Sequence, residues 1–156
     1  MLKIVIIDDS RIIRERLSGM LTEIGAVEVV GTAESAASGI EMIRTIKPDF
    51  VILDIRMPGG SGIQALAEIK QLQPALKVAV LTNYPYPAYS KRCYELGADY
   101  FFDKSSEFEM VKTTLSLYSS VMDGKAQPAP SQPTSAQSPT ETALTYGVSD
   151  LSRDVN

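Results

Sequence analysis

Residues 50–62 read FVILDIRMPGGSG, and the fold is decided on this stretch. Phe50 to Leu53 is an unbroken apolar run, the pattern of a strand buried on both faces inside a parallel sheet. The run stops at a carboxylate, Asp54. Met57 to Gly62 then carries turn chemistry, with Pro58, Gly59, Gly60 and Ser61 between its ends. Beyond it Ile63, Leu66, Ile69 and Leu72 recur at helical spacing, and Pro74 marks the end of that helix. A buried strand, an acid, a turn and an amphipathic helix make one half of a βαβ unit, whose other members lie on either side.

Upstream, Leu2 to Ile7 is a second apolar run, interrupted only by Lys3. Ile12, Ile13, Leu17, Met20, Leu21 and Ile24 follow at helical spacing, with Gly25 where a C-terminal cap belongs. Val27 to Val30 predicts the next strand, and Ala36, Ile40, Ile43 and Ile46 a helix that Pro48 closes. Downstream, Val78 to Leu81 and Tyr100 to Phe102 predict two more strands. They are separated by a Pro- and Tyr-rich stretch, Tyr84 to Tyr89, and a short helix ending at Gly97. Ser106 and Glu109 have the spacing of a capping box before a last helix bearing Val111, Leu115 and Tyr118. Strands alternating with helices predict an α/β domain with a five-stranded parallel sheet and helices on both faces. The domain is expected to span residues 1–122. Residues 123–156, rich in Pro, Ser and Thr, offer too little apolar surface to offset ordering entropy and read as a flexible C-terminal tail.

Composition narrows the chemistry. The chain has 156 residues, a formal net charge of −4, one cysteine and no histidine. It therefore holds no Ser-His-Asp or Cys-His nucleophile pair, no histidine-ligated metal and no internal disulfide. An acidic balance gives no overall footprint for nucleic acid, so direct nucleic-acid binding is not expected. No apolar run reaches the ~20 residues that span a bilayer. The first residues lack the layout of a signal peptide, so a cytoplasmic location is expected.

In open α/β sheets, sites lie beyond the carboxyl ends of the strands. The polar residues there are Asp8 and Asp9, Asp54, Thr82 and Lys104. An acid after one strand is usually a turn or cap residue, but adjacent strands bring all of these groups to one edge. Clustered carboxylates raise one another's pKa unless a cation neutralises them, and a hard divalent cation such as Mg2+ suits oxygen ligands. Asp8 and Asp9 read as its holders, and Asp54 as both ligand and nucleophile. A carboxylate that attacks phosphorus forms an acyl phosphate, and the metal screens its repulsion from the incoming anion. Lys104 would offer a positive charge to one phosphoryl oxygen. Thr82 would donate a hydrogen bond to another, a contact made only in the phosphorylated state.

With these residues in order, the chain resembles the receiver domains of two-component response regulators over roughly residues 2–122. The matching elements are IVIIDDS, ILDIRMPGGSG, VLTN ending at Asn83 and GADYFFDKS ending at Ser105. The resemblance implies a flavodoxin-like, doubly wound sheet of order 2-1-3-4-5 with five helices. It implies Mg2+, and a phosphodonor histidine on a sensor kinase or histidine phosphotransfer protein. Carried over, Asp54 is the phospho-acceptor and Asp8 and Asp9 the acidic pair. The backbone carbonyl of Arg56 is a further metal ligand, Lys104 the catalytic lysine, and Thr82 with Phe101 the switch pair. Phe101 reads equally well as a plain core residue of the fifth strand.

The chain departs from the family pattern at two places. The residue after Lys104 is Ser105, where the family commonly has a cis-proline, and Asn83 and Tyr84 follow Thr82 in place of a small residue. Arg56 and Tyr84 are expected to flank the phosphoryl site and alter its rate of hydrolysis. Tyr84, Tyr86, Tyr89 and Tyr94 gather near the fourth helix, on the side the family uses for partner docking and for homodimers on phosphorylation. Cys93 reads as a small packing group. The expected output is binding of a downstream protein or relay of phosphate by a single-domain regulator, a signalling switch rather than a turnover enzyme. Two alternatives stand beside it. One is the receiver of a DNA-binding regulator whose output domain lies outside this chain. The other is a receiver-like module that never takes phosphate.

Overall fold

The computed structural model describes residues 1–57 and 60–122. In chain order the elements are β1 (Leu2–Ile7), α1 (Arg11–Thr22), β2 (Val27–Ala33), α2 (Ala36–Ile46) and β3 (Phe50–Leu53). There follow β4 (Arg56–Met57), β5 (Gly60–Ser61), α3 (Gly62–Leu72), β6 (Lys77–Thr82), α4 (Pro87–Glu95), β7 (Tyr100–Asp103) and α5 (Phe108–Met122). The main sheet has the order β2-β1-β3-β6-β7, and all its neighbouring pairs are parallel. Leaving aside the small antiparallel ribbon β4–β5, this is the expected order 2-1-3-4-5. The chain has a flavodoxin-like, doubly wound α/β fold.

Successive residues of a strand face opposite sides of a sheet, so an apolar run must feed two cores. It does. Val5, Ile7, Val51, Leu53, Val78 and Val80 pack with Ile40, Ile43, Leu66, Ile69 and Cys93 on the side covered by α2, α3 and α4. Ile4, Ile6, Phe50, Ile52, Ala79 and Leu81 pack with Leu17, Leu21, Val111 and Leu115 on the side covered by α1 and α5. Each Val, Leu, Ile or Phe side chain among them, once buried, contributes about 1.5–3 kcal/mol of transfer free energy. Cys93 is fully enclosed, and burial pushes its thiol up to about 11, as expected of a packing group.

Several local expectations are corrected. Gly25 does not cap α1: the helix stops at Thr22, and the amides of Glu23 and Ile24 close it on the carbonyls of Met20 and Leu21. That tight turn satisfies the last carbonyls without a left-handed residue. Ser106 does not cap α5 either. The helix begins at Phe108, and the Ser106 hydroxyl instead donates to Asp103 Oδ2 at 2.9 Å. Strand β2 runs on to Ala33, because Gly31, Thr32 and Ala33 pair with Val5, Ile6 and Ile7 after a register shift. Lys47 ends α2 in the left-handed region (φ 55°), its amide bonded to the Ile43 carbonyl. Gly97 follows α4 at φ 107°, where only glycine is unstrained. The expected flexible tail at 123–156 and the Pro58–Gly59 part of the turn lie outside the described residues. No described helix is long and apolar enough to cross a membrane.

Candidate functional site

Sheet register sets the site. Ile7 of β1 lies beside Leu53 of β3, so the next residues, Asp8 and Asp54, emerge level with each other. Thr82 ends β6 opposite Asp103 of β7, and the Lys104 amide donates to the Thr82 carbonyl at 2.8 Å. Four strand ends therefore deliver their polar residues to one edge, the convergence expected from the sequence.

Carboxylate oxygens of Asp8, Asp9 and Asp54 all lie within 4.8 Å of one another. Asp8 and Asp54 are buried, whereas Asp9 is exposed. The Lys104 ammonium reaches into the cluster, 2.6 Å from Asp8 Oδ2 and 3.0 Å from Asp54 Oδ2. Asp8 Oδ1 accepts from the Ser10 amide at 2.8 Å, and Asp54 Oδ1 from the Arg56 amide at 3.1 Å. Burial raises the Asp54 carboxyl above its usual range, and the Arg56 amide and the Lys104 charge only partly oppose it. Burial draws the Lys104 ammonium down, but its bonds and charge pairing with Asp8 and Asp54 win, leaving it above the ordinary lysine value. Three carboxylates and one ammonium leave a surplus of negative charge on oxygen atoms with lone pairs to spare. That donor set suits a hard divalent cation.

Thr82 is fully buried, and its hydroxyl oxygen accepts the Tyr84 amide at 3.1 Å. Among the described residues that hydroxyl donates to no protein acceptor. Phe101 sits outside the carboxylate cluster. It is half-buried on the α2–α4 side of β7, its ring centroid 6.5 Å from that of Tyr94. The Arg56 guanidinium lies over the Tyr84 ring at 4.3 Å and donates to the Tyr89 hydroxyl at 3.3 Å, joining the β3–α3 and β6–α4 connections.

Sequence reasoning missed two supporting residues. Arg14, on the first turns of α1, donates to the Asp8 carbonyl at 2.6 Å and holds the acidic loop against the helix. Asp103 gathers the turn around Lys104, a role that no spacing in the sequence reveals.

A family model described as the response regulator receiver domain matches residues 4–116. The chain belongs to that family. This receiver is 31% identical over 109 residues to the response regulator GacA of Pseudomonas aeruginosa, covering 70% of this chain and 51% of that protein. It is 40% identical over 108 residues to protein-glutamate methylesterase/protein-glutamine glutaminase 4 of Hahella chejuensis, covering 68% of this chain and 28% of that one. Among solved structures, the isolated receiver domain of RcsB from Salmonella enterica superposes with a TM-score of 0.71 at 26% identity, covering 83% of this chain and 94% of that one. The receiver spans about half the length of curated relatives such as GacA. Receiver domains are signalling modules of two-component systems, and the acidic cluster fits that family's phosphorylation and Mg2+ site.

Proposed function

We propose that this receiver takes a phosphoryl group onto Asp54 from a phosphohistidine of a sensor kinase or phosphotransfer protein, in a Mg2+-dependent reaction. The observation that carries the proposal is the cluster of buried Asp8 and Asp54 with exposed Asp9, and the Lys104 ammonium paired to the two buried carboxylates. An Asp54 oxygen attacks phosphorus, a P–O bond forms as the donor's P–N bond breaks, and the imidazole departs with a proton. Asp8, Asp9, Asp54 and the Arg56 backbone carbonyl would hold the cation, whose charge offsets repulsion between nucleophile and phosphoryl group. Lys104 then turns from Asp54 toward a phosphoryl oxygen, and Thr82 donates its free hydroxyl proton to another. These contacts exist only after transfer, and they give the phosphorylated state its own conformation. Phe101 is the aromatic partner of Thr82 in that switch.

The receiver acts as a switch rather than as a turnover enzyme, and its output passes to a downstream protein through the α4–β7–α5 side, where Tyr94 is half exposed. A homodimer formed through that side on phosphorylation is part of the same reading. The length of the relatives favours a second form of output, in which the receiver governs a further domain of the same polypeptide. Two solved LuxR-family regulators, one described as DNA-binding, share its fold at 26% and 25% identity. A longer native reading frame encoding such a domain decides between them.

The test of the acceptor is intact-mass analysis after Mg2+ and a small acyl phosphate. One phosphoryl adduct is expected, lost in Asp54→Ala and without metal. No adduct with this donor or with candidate histidine kinases would leave the phosphate-independent module as the better reading.

A further inference from the structure

Lys104 performs its part only if its ammonium arrives between Asp8 and Asp54, and its side chain is long and intrinsically mobile. Something must fix the backbone from which it reaches. On one side the Lys104 amide is tied to the Thr82 carbonyl. On the other side the chain turns at once toward α5, through a trans Lys104–Ser105 peptide with no proline to set its backbone angle.

That turn is bound together by Asp103. Its Oδ1 accepts the Ser105 amide at 2.9 Å and the Ser105 hydroxyl at 2.8 Å, and its Oδ2 accepts the Ser106 hydroxyl at 2.9 Å. Its own amide donates to Glu107 Oε1 at 2.9 Å, and its carbonyl accepts the Glu107 amide at 2.8 Å. The loop on both sides of Lys104 is thus closed on one carboxylate, which takes three donors and touches none of the reacting groups. The bonds from the Ser105 amide and hydroxyl also hold the Asp103 carboxyl below its ordinary range, so it stays ionised and a strong acceptor at neutral pH.

We propose that Asp103 is a positioning residue for Lys104, its carboxylate locking the Asp103–Ser106 turn through the two serines and so setting where the Lys104 ammonium stands. The proposal deepens the Asp54 reading and rests on it for its consequence in phosphoryl transfer, but not for the geometry itself.

Two readouts separate the two. The first is lysine footprinting: the protein is treated with an amine-reactive succinimidyl ester, and acylation of each lysine is measured by peptide mass. The Lys104 side chain is only 7% exposed and paired with two carboxylates, so it should be protected. In Asp103→Ala its labelling should rise about fivefold or more relative to Lys91 and Lys3. Asp103→Asn should stay near wild type, because an amide oxygen still accepts from Ser105 and the amide nitrogen can donate to Ser106. Should Asp103→Ala not fold, judged by its melting curve, Ser105→Ala and Ser106→Ala each remove a strand of the lock and should raise labelling by smaller steps. The second readout is the rate of adduct formation. Asp103→Ala should slow it about 5- to 20-fold, and should have almost no further effect in a Lys104→Ala background.

Unchanged Lys104 labelling in the folded variants overturns the proposal. So does an Asn variant as exposed as the Ala one, or loss of rate that multiplies independently of Lys104. A wild type that takes no phosphoryl group sinks the Asp54 reading instead, and the footprint still decides on Asp103.

Discussion

The Lys104 ammonium stands 3.0 Å from Asp54 Oδ2, across 50 residues of sequence and one intervening strand of the sheet. The pair is buried, so neither charge is free to return to water when the other is removed. Breaking a buried pair by deleting one partner costs about 3–5 kcal/mol, because the remaining charge is left uncompensated. Lys104→Ala is therefore expected to lose about 3 kcal/mol in urea unfolding without metal. Millimolar Mg2+ should restore most of that loss by supplying the missing positive charge. A variant whose midpoint is unchanged without metal would show that the ammonium does not neutralise the cluster.

Asp54 has the opposite effect on stability. Its carboxyl is raised in the folded protein, mainly by burial, so the folded state favours the protonated form. The stabilisation from that proton is complete below the ordinary aspartate value of about 4 and is lost as pH rises through the raised value. At neutral pH without metal, Asp54→Asn should therefore melt above wild type, and the gap should close as pH is lowered toward 4. Melting curves from pH 4 to pH 8 measure it, and a gap that widens on acidification would contradict the assignment.

Arg56 and Tyr84 each sit one backbone hydrogen bond from the site, Arg56 through Asp54 and Tyr84 through Thr82. Arg56 lies over the Tyr84 ring and donates to the Tyr89 hydroxyl, and the paired side chains are expected to hinder an attacking water. Removing the ring in Tyr84→Ala should shorten the lifetime of the phosphoryl adduct by about threefold or more, given the ~1 kcal/mol scale of a cation–π contact. Adduct decay followed by intact mass after donor removal gives the answer, and equal lifetimes dismiss Tyr84.

Gly62 starts α3 against the loop that carries Asp54. A Cβ placed there would lie 2.3 Å from Ile55 Cα and 2.5 Å from the Asp54 carbonyl oxygen. Backbone cannot yield as a side-chain tip can, so Gly62→Ala should cost about 2 kcal/mol or more. It should also slow phosphorylation beyond what the lost stability explains. Full activity in a stable Gly62→Ala protein would mean the loop has more room than this packing allows.

The fold was legible because parallel strands buried on both faces are written as apolar runs, and Leu2–Ile7, Phe50–Leu53 and Val78–Leu81 are nearly uninterrupted. The acidic residues were legible because strand ends need no tertiary knowledge to place. Caps were less so. Gly25 and Ser106 have the right residue type at plausible spacing, yet nearby backbone and Asp103 offered other partners, and those won. Arg14 and Asp103 were not visible at all. Their effect depends on where Asp8 and Lys104 arrive in three dimensions, and neither residue type nor spacing records that. The β4–β5 ribbon, with two residues in each strand, is too short to leave a pattern.

Cys93, enclosed against the sheet with its thiol pushed up to about 11, has a practical corollary. Burial and a raised thiol predict little reaction with thiol reagents at neutral pH, and the chain has no histidine to capture a soft metal. A cysteine introduced at exposed Tyr86 would thus be the one group to take a maleimide fluorophore. Its emission would report movement of the β6–α4 connection from a single, unambiguous place.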